Sequence, residues 1–280
     1  MPELPEVETI RKDLSRYLPG HAVVRLDVRD RRLLSLPEEE RWRRTVCGQI
    51  WRAITRKGKY LVARLANDWE LIFHLRMTGQ LVLRTPSGIK RAGIIDKPLT
   101  RTYRMILEFE HGVGLAFYDQ RRFGEVFLKG PLEGWPGKTV LGPDPLNGLS
   151  REHFIEMVKE KTTRIKPLLM DQHFLAGVGN IYAQEALFKA AIRPTRPGYR
   201  ISKIEAGSLF QALRETLLSA IEHRGSTSRN YRDAFGQSGS AQGLHAVYLR
   251  GGKPCLKCQT PLRATKVGGR GTVYCPHCQH

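Results

Sequence analysis

The sequence predicts an α+β protein of several domains, and three observations carry that expectation. Short β-like runs follow one another from about Val23 to Leu128, separated by Gly, Pro and Asn/Asp turn signals. After Ser150 the apolar residues change to helical spacing. The C-terminal stretch carries two Cys-x2-Cys pairs, Cys255/Cys258 and Cys275/Cys278, with residues 259–274 between them.

The first element is a helix over roughly Glu3–Leu18, amphipathic through Val7, Ile10 and Leu14, with acids in its opening turn and Pro2 at its start. Eight runs then read as strands: Val23–Val28, Thr45–Ile54, Tyr60–Leu65, Glu70–Leu75, Gly79–Leu83, Met105–Phe109, Gly114–Tyr118 and Glu125–Leu128. Their spacing suits an antiparallel sandwich or barrel. Cys47, within the second run, reads as a small core residue. The Gly/Pro-dense stretch that follows reads as a linker. Helices are expected from Ser150, around Arg164–Asp171, from Val178–Asn180 through Phe188, and over Ser202–His223, where Leu209, Leu213, Leu217 and Ile221 recur every fourth residue. A polar Gly/Ser-rich loop and the cysteine unit complete the chain, and no repeat of fixed period is present.

At 280 residues the chain can bury a sizeable core, and its 41% hydrophobic content is that of a globular protein. Its charge is unusual. Lys+Arg 46 against Asp+Glu 27 gives +19, dispersed over the chain rather than gathered in a tail. That balance points to a polyanionic partner met by a long folded face, nucleic acid before membrane. The acidic N-terminus lacks an apolar run, so no signal peptide is expected, and no stretch is long enough for a membrane span. The cytoplasm is the expected location.

Two Cys-x2-Cys knuckles can close a tetrahedron of thiolates around one structural zinc, leaving no open position for catalysis. The ligands are Cys255, Cys258, Cys275 and Cys278, with His277 a lesser candidate. The basic hairpin between them, with Arg263, Lys266 and Arg270, predicts phosphate contact. Gly177-Val178-Gly179-Asn180 makes a sharp entry to a helix whose N-terminus can hold an anion, though such a turn is often only a turn. His74-Leu75-Arg76-Met77-Thr78-Gly79 and Asp119-Gln120-Arg121-Arg122-Phe123-Gly124 lie at strand ends. Met77 and Phe123 there suit side chains wedged into a base stack, with burial in the core as the competing reading. Removal of Met1 would leave Pro2 as a free secondary amine, partly unprotonated at neutral pH and able to form an iminium, with Glu3 beside it to move protons.

Taken in order along the chain, these motifs resemble the bacterial formamidopyrimidine-DNA glycosylase family, bifunctional repair enzymes for oxidised purines. The resemblance spans nearly the whole sequence. It rests on Pro2 to Thr9, Arg56 to Leu61, His74 to Gly79, Asp119 to Gly124, Leu141 to Leu146, Ile165 to Leu168, Ala176 to Leu187 and the cysteine quartet. It implies a catalytic helix and β-sandwich over residues 1–130 and a linker over 131–149. A helix–two-turn–helix domain over 150–245, with a lesion-capping loop about 225–243, and a zinc ribbon over 246–280 would follow. Pro2 would be the Schiff-base nucleophile on C1′, Glu3 the general acid/base, and Glu6 the support of the amine. Lys59 and Arg270 would contact phosphates and donate protons in the two eliminations. His74, Arg76, Arg122, Lys166 and Asn180 would bind DNA, Lys166 in connection with oxidised purines. Met77, Arg121 and Phe123 would fill the gap left by a flipped base. The partner would be damaged double-stranded DNA and the enzyme a monomer.

The wording departs from the family at Asp96 to Arg104, at Gln184, and in the loop Gly225–Gly243. The sister endonuclease VIII-like glycosylases for oxidised pyrimidines share the fold and the N-terminal proline, but Leu4, Val7-Glu8-Thr9 and the Arg121/Phe123 pair favour the purine enzyme. A zinc-ribbon DNA-binding protein without chemistry would leave Pro2-Glu3 unexplained.

Overall fold

The computed structural model describes residues 1–35, 38–84, 103–136, 140–227 and 230–280. Most of the divergent Asp96–Arg104 stretch, and positions 228 and 229 of the polar loop, lie outside the described residues. The chain forms two compact units, one of Met1–Lys138 with His223–Gln242, the other of Thr139–Glu222 with Gly243–His280. The architecture is the α+β one the sequence predicts. Among the described residues no helix is long and apolar enough to cross a membrane.

In the first unit, α1 (Leu4–Leu14) is followed by β1 (Val23–Val28), α2 (Glu39–Val46), β2 (Trp51–Lys57), β3 (Tyr60–Leu65), β4 (Glu70–His74), β5 (Gly79–Arg84), β6 (Tyr103–Phe109), β7 (Gly114–Asp119) and β8 (Glu125–Lys129). They make two antiparallel four-stranded sheets, ordered β1-β6-β7-β5 and β2-β3-β4-β8. Alternate residues of both sheets, among them Leu81, Leu83, Met105, Leu107, Phe117, Leu61, Phe73 and Val126, share one core, as strand periodicity requires. Val7, Ile10 and Leu14, one stripe of α1, join that core, and α1 packs on β2 and β3.

Two local expectations are corrected. The run Thr45–Ile54 is not one strand: Thr45 and Val46 end α2, Cys47 caps it, and the strand starts at Trp51. Trp42 and Val46, four apart, are the buried stripe of a short helix otherwise rich in charge, and Cys47 is half-buried against the core. Pro2 also does not begin α1. Pro5 takes the first-turn position, Glu3 is the N-cap, and Pro2 stands outside the helix.

In the second unit, α3 (Arg151–Lys159), α4 (Ile165–Met170), α5 (Asn180–Lys189) and α6 (Lys203–Glu222) precede the hairpin β9 (Arg263–Val267) and β10 (Arg270–Tyr274). Ser150 caps α3 through its hydroxyl, which accepts from the His153 N–H at 3.1 Å. Phe154 of α3 meets Phe210 of α6 with ring centres 5.3 Å apart, and Leu209, Leu213 and Leu217 of α6 are fully buried. Nearly every residue of α5 after Asn180 is buried, so this helix is the centre of the unit.

Candidate functional site

The start of the chain is built around one buried carboxylate. Glu6 Oε2 accepts the backbone N–H of Glu3 at 2.8 Å, and Glu6 Oε1 accepts that of Ser226 at 2.7 Å. The Glu3 N–H belongs to the Pro2–Glu3 peptide group, so Glu6 fixes the unit that carries the Pro2 nitrogen. Glu3 and Pro2 are both buried while Met1 is exposed. A side chain could not replace Gly225: its φ is +80°, and a Cβ would lie 2.9 Å from Glu6 Cγ and Oε1.

The same helix is tied to the β2–β3 turn. Glu8 accepts from Arg11 (2.7 Å) and from Arg56 (3.0 Å), and Arg56 also donates to the Gly58 carbonyl at 3.2 Å. Burial alone would push the Glu8 carboxyl up, but the two guanidiniums outweigh it and hold it below its ordinary range. Lys59, largely buried, occupies this turn. Across the register Tyr60↔His74, the Tyr60 and His74 rings lie 4.4 Å apart. His74 Nδ1 accepts the Arg76 N–H at 3.2 Å, so Nε2 carries the proton of the neutral ring. Burial first, then the charges of Arg76 and Lys59, lowers its pKa to about 3. On its other side Tyr60 meets Trp135 edge to face at 5.0 Å, and Lys57 Nζ sits 4.4 Å from the Trp135 ring centre. Nothing local to the sequence near Trp135 signals that contact.

Two crossings between the sheets, β4 to β5 and β7 to β8, are placed side by side by the pairs Gly79↔Asp119 and His74↔Glu125. Their tips carry Met77 and Phe123, 41% and 51% exposed, so the core reading of these residues does not hold. Arg121 lies with its guanidinium 4.7 Å from the Phe123 ring centre. Beneath them Asp119 is buried and organises both turns. It accepts from the Thr78 hydroxyl (2.5 Å), the Arg121 N–H (3.2 Å) and the Gly124 N–H (2.6 Å). Arg76 is held by Glu125, with its Nε 2.9 Å from the carboxylate, and Arg122 lies 3.6 Å from Asp30. Both Arg76 (φ +51°) and Arg122 (φ +60°) have left-handed backbone, the mark of tight turns held by their surroundings.

In the second unit Arg270 stands exposed just past a two-residue turn, Gly268-Gly269, closed by the pair Arg270↔Val267. Both glycines have positive φ, as a type I′ hairpin turn demands. A Cβ at Gly268 would also lie 2.8 Å from Pro167 of α4. Beside Arg270, the Gly271 carbonyl accepts from Asn180 (3.2 Å), Gln184 (3.3 Å) and Lys166 (3.4 Å). Lys166 is fully buried and donates also to the Thr272 hydroxyl at 2.8 Å. Its ammonium is thus engaged inside the unit, a placement that no local pattern around Ile165-Lys166-Pro167 reveals. Gln184 completes the seat by accepting the Val273 N–H at 2.6 Å.

The four cysteines converge with their sulfurs all within 4.8 Å of one another, Cys255 to Cys278 at 3.9 Å and Cys258 to Cys275 at 3.5 Å. Zinc–sulfur bonds of about 2.3 Å in a tetrahedron require sulfurs about 3.8 Å apart, so the donor set fits one structural zinc. The backbone N–H groups of Lys257 and Cys278 point at Cys255 and Cys275 Sγ, at 3.4 and 3.3 Å, as thiolates in knuckles require.

A helix packed on a β-sandwich, a helical unit and a four-cysteine ribbon define a zinc-ribbon protein of several domains. Three family models match it in order: the formamidopyrimidine-DNA glycosylase N-terminal domain over residues 1–126, the formamidopyrimidine-DNA glycosylase H2TH domain over 141–232, and the zinc finger found in FPG and IleRS over 252–280. The formamidopyrimidine-DNA glycosylase of Pelotomaculum thermopropionicum is 40% identical, covering 100% of this chain and 99% of its own length. Among solved structures, wild-type Lactococcus lactis Fpg (MutM) with DNA containing N7-benzyl-Fapy-dG superposes with a TM-score of 0.86 at 31% identity, covering 100% of both chains. The same protein with DNA containing an oxidised pyrimidine gives 0.85 at 31% identity and equal coverage. The chain belongs to the formamidopyrimidine-DNA glycosylase family.

Proposed function

We propose that this protein is a base-excision DNA glycosylase and AP lyase that removes oxidised purines, 8-oxoguanine and formamidopyrimidines, from duplex DNA through a Schiff base on Pro2. The observation that carries this reading is the position of Pro2. It lies outside α1, with its peptide to Glu3 held by the buried Glu6 carboxylate at 2.8 Å. A proline needed only to start a helix would sit where Pro5 sits.

Once Met1 is removed, the Pro2 nitrogen is a secondary amine of pKa about 7.7–8, so a useful fraction of it is unprotonated and nucleophilic at neutral pH. A base inside the duplex is out of reach, and the nucleotide must be extruded at a cost of a few kcal/mol. Met77, Arg121 and Phe123, exposed on ordered turns, suit the space it leaves. The amine bonds to C1′, the C1′–base bond breaks, and Glu3 passes a proton toward the leaving base or the opened sugar. The resulting iminium makes the 2′ hydrogen acidic. Its loss expels the 3′ phosphate, and a second elimination expels the 5′ phosphate. Lys59 and Arg270 serve these departures as phosphate contacts and proton donors. Water then releases the sugar remnant and restores the amine.

The neutral His74 ring donates Nε2–H to a phosphate without carrying charge into a buried site. Asn180 offers its amide at the start of α5, and Arg76 and Arg122 add positive charge near the wedge. Lys166 acts by holding Gly271 and Thr272, and so the strand that carries Arg270. One zinc on the four cysteines keeps the hairpin folded. The protein works as a cytoplasmic monomer.

Borohydride trapping on a duplex carrying 8-oxoguanine opposite cytosine tests the reading. A covalent protein–DNA adduct is expected from wild type and none from Pro2→Gly, and mass spectrometry should find Met1 missing. An equal adduct from Pro2→Gly would sink the mechanism. Because the Lactococcus relative was captured with an oxidised pyrimidine, thymine glycol belongs in the same assay. Faster trapping on it than on 8-oxoguanine would move the assignment to the endonuclease VIII-like class.

A further inference from the structure

The segment 223–242 grips α1 twice. Arg224, with φ +59°, extends its guanidinium across two carboxylates. Its Nη2 lies 2.5 Å from Asp13 Oδ2 and 2.6 Å from Asp233 Oδ2, and its Nε 2.8 Å from the latter. The Asp13 and Asp233 side chains are 2% and 0% exposed. The other Asp233 oxygen accepts the N–H groups of Phe235 and Gln237, each at 2.9 Å. Arg224 therefore closes the segment at its neck and pins that neck to the last turn of α1. Immediately after it, Gly225 packs against Glu6, and Ser226 donates its N–H to Glu6 Oε1 at 2.7 Å. Glu6 and Asp13 are seven residues apart, two turns along one helix face. Between these grips Tyr231 is buried, its hydroxyl 3.4 Å from the Glu6 carbonyl.

We propose that Arg224 is a positioning residue for the terminal amine: by clasping Asp13 and Asp233 it sets the Ser226 N–H against Glu6, and Glu6 in turn orients the Pro2–Glu3 peptide. The proposal rests on the Pro2 reading above. Its logic is the two-donor seat of Glu6. Each carboxylate oxygen takes one backbone N–H, one from the chain start and one from the clasped segment. Without the clasp the Ser226 donor is no longer fixed, a buried carboxylate loses a backbone donor, and the peptide that carries the amine can turn with it. Displacements of about 1 Å at a reacting group can cost roughly a hundredfold in rate.

Removing Arg224 alone would leave two buried carboxylates facing each other, so the test uses a neutral clasp, Asp13→Asn/Arg224→Met/Asp233→Asn, beside Asp13→Asn alone. Single-turnover borohydride trapping on the 8-oxoguanine duplex gives the rate. Equilibrium binding to a duplex with a tetrahydrofuran abasic analogue gives the affinity, and circular dichroism and Tm report the fold. The neutral clasp is expected to stay folded and to bind within about twofold of wild type, while trapping slows by roughly tenfold to a hundredfold. Asp13→Asn, which keeps the neck but weakens the bolt to α1, should fall between. Trapping at the wild-type rate by the folded neutral clasp overturns the proposal, as does a loss of rate matched by an equal loss of affinity. If the neutral clasp does not fold, Asp13→Asn decides by the same two readouts. A wild-type protein giving no adduct overturns the Pro2 reading and the clasp with it, whereas trapping by wild type beside an unimpaired variant overturns the clasp alone.

Discussion

The wedge turns of the first unit and the hairpin tip of the second each present a side chain to solvent above a buried charged group, but the buried charges have opposite sign. Under Met77, Arg121 and Phe123 the buried group is the carboxylate of Asp119, and all three of its partners are donors: a hydroxyl and two backbone N–H groups. Beside Arg270 the buried group is the ammonium of Lys166, joined by the amides of Asn180 and Gln184, and all three converge on the Gly271 carbonyl. The difference follows from what each backbone leaves unpaired. A tight turn such as 119–124 points N–H groups inward, and an anion satisfies several at once. A strand edge such as Gly271 points a carbonyl, and only donors can seat it. The buried charge is therefore chosen by the backbone beneath the functional residue, and its sign carries no information about the ligand above.

The largest break in this comparison is metal removal. The ribbon that carries the hairpin has few residues, and its small core of Val247, Leu262 and buried cysteines closes on Phe188 of α5, so its fold depends on the thiolates. Structural zinc supplies on the order of 10–16 kcal/mol of folding free energy in small metal domains. Chelation, or Cys275→Ser, is expected to abolish tight binding to abasic-analogue DNA while the strand signal of the sandwich persists in circular dichroism. Retained affinity in the metal-free protein would show that Arg270 and its hairpin carry no part of binding.

Asp119→Asn is the matching break in the sandwich, and a smaller one. The amide can accept on one oxygen only, leaving a turn N–H or the Thr78 hydroxyl unpaired, at about 1–3 kcal/mol. A lower Tm with weakened binding to lesion duplex is expected. An unchanged Tm would mean that Asp119 does not hold the wedge.

The α+β class, most of the strands and the four-cysteine cluster were legible in the sequence because each is a local or periodic signal. Alternation marks strands, four-residue spacing marks α6, and paired cysteines mark a ribbon. Met77 and Phe123 were legible as a pair only through their place at strand ends. What stayed hidden depends on contacts distant in the chain. Trp42 and Val46 of α2 were masked by the surrounding arginines and acids, and the β-branched residues after them read as strand. The resemblance makes Lys166 a DNA contact, and its buried seat stays hidden because its acceptors, Gly271 and Thr272, lie at the other end of the chain. Arg224 was one arginine among many, since Asp13 and Asp233 become its partners only when the segment folds back on α1.

The most gradual effect, at most about 1.4 kcal/mol per pH unit, concerns His74, and its sign is fixed by the buried ring. In the folded chain its pKa is lowered to about 3, from an ordinary value near 6.5 that the unfolded chain recovers. Between these values the unfolded state binds the proton and the folded state does not, so stability rises with pH across that window. The stability linked to His74 is complete above about pH 6.5 and is lost progressively as pH falls toward 3, by at most about 1.4 kcal/mol per unit. Thermal melts of wild type and His74→Gln from pH 8 to pH 4 should therefore converge as the pH falls, because only the wild type loses this contribution. Parallel curves would show that the ring takes up a proton in the fold as readily as outside it, and the neutral Nε2–H donor assigned to the phosphate would then have to be a charged one.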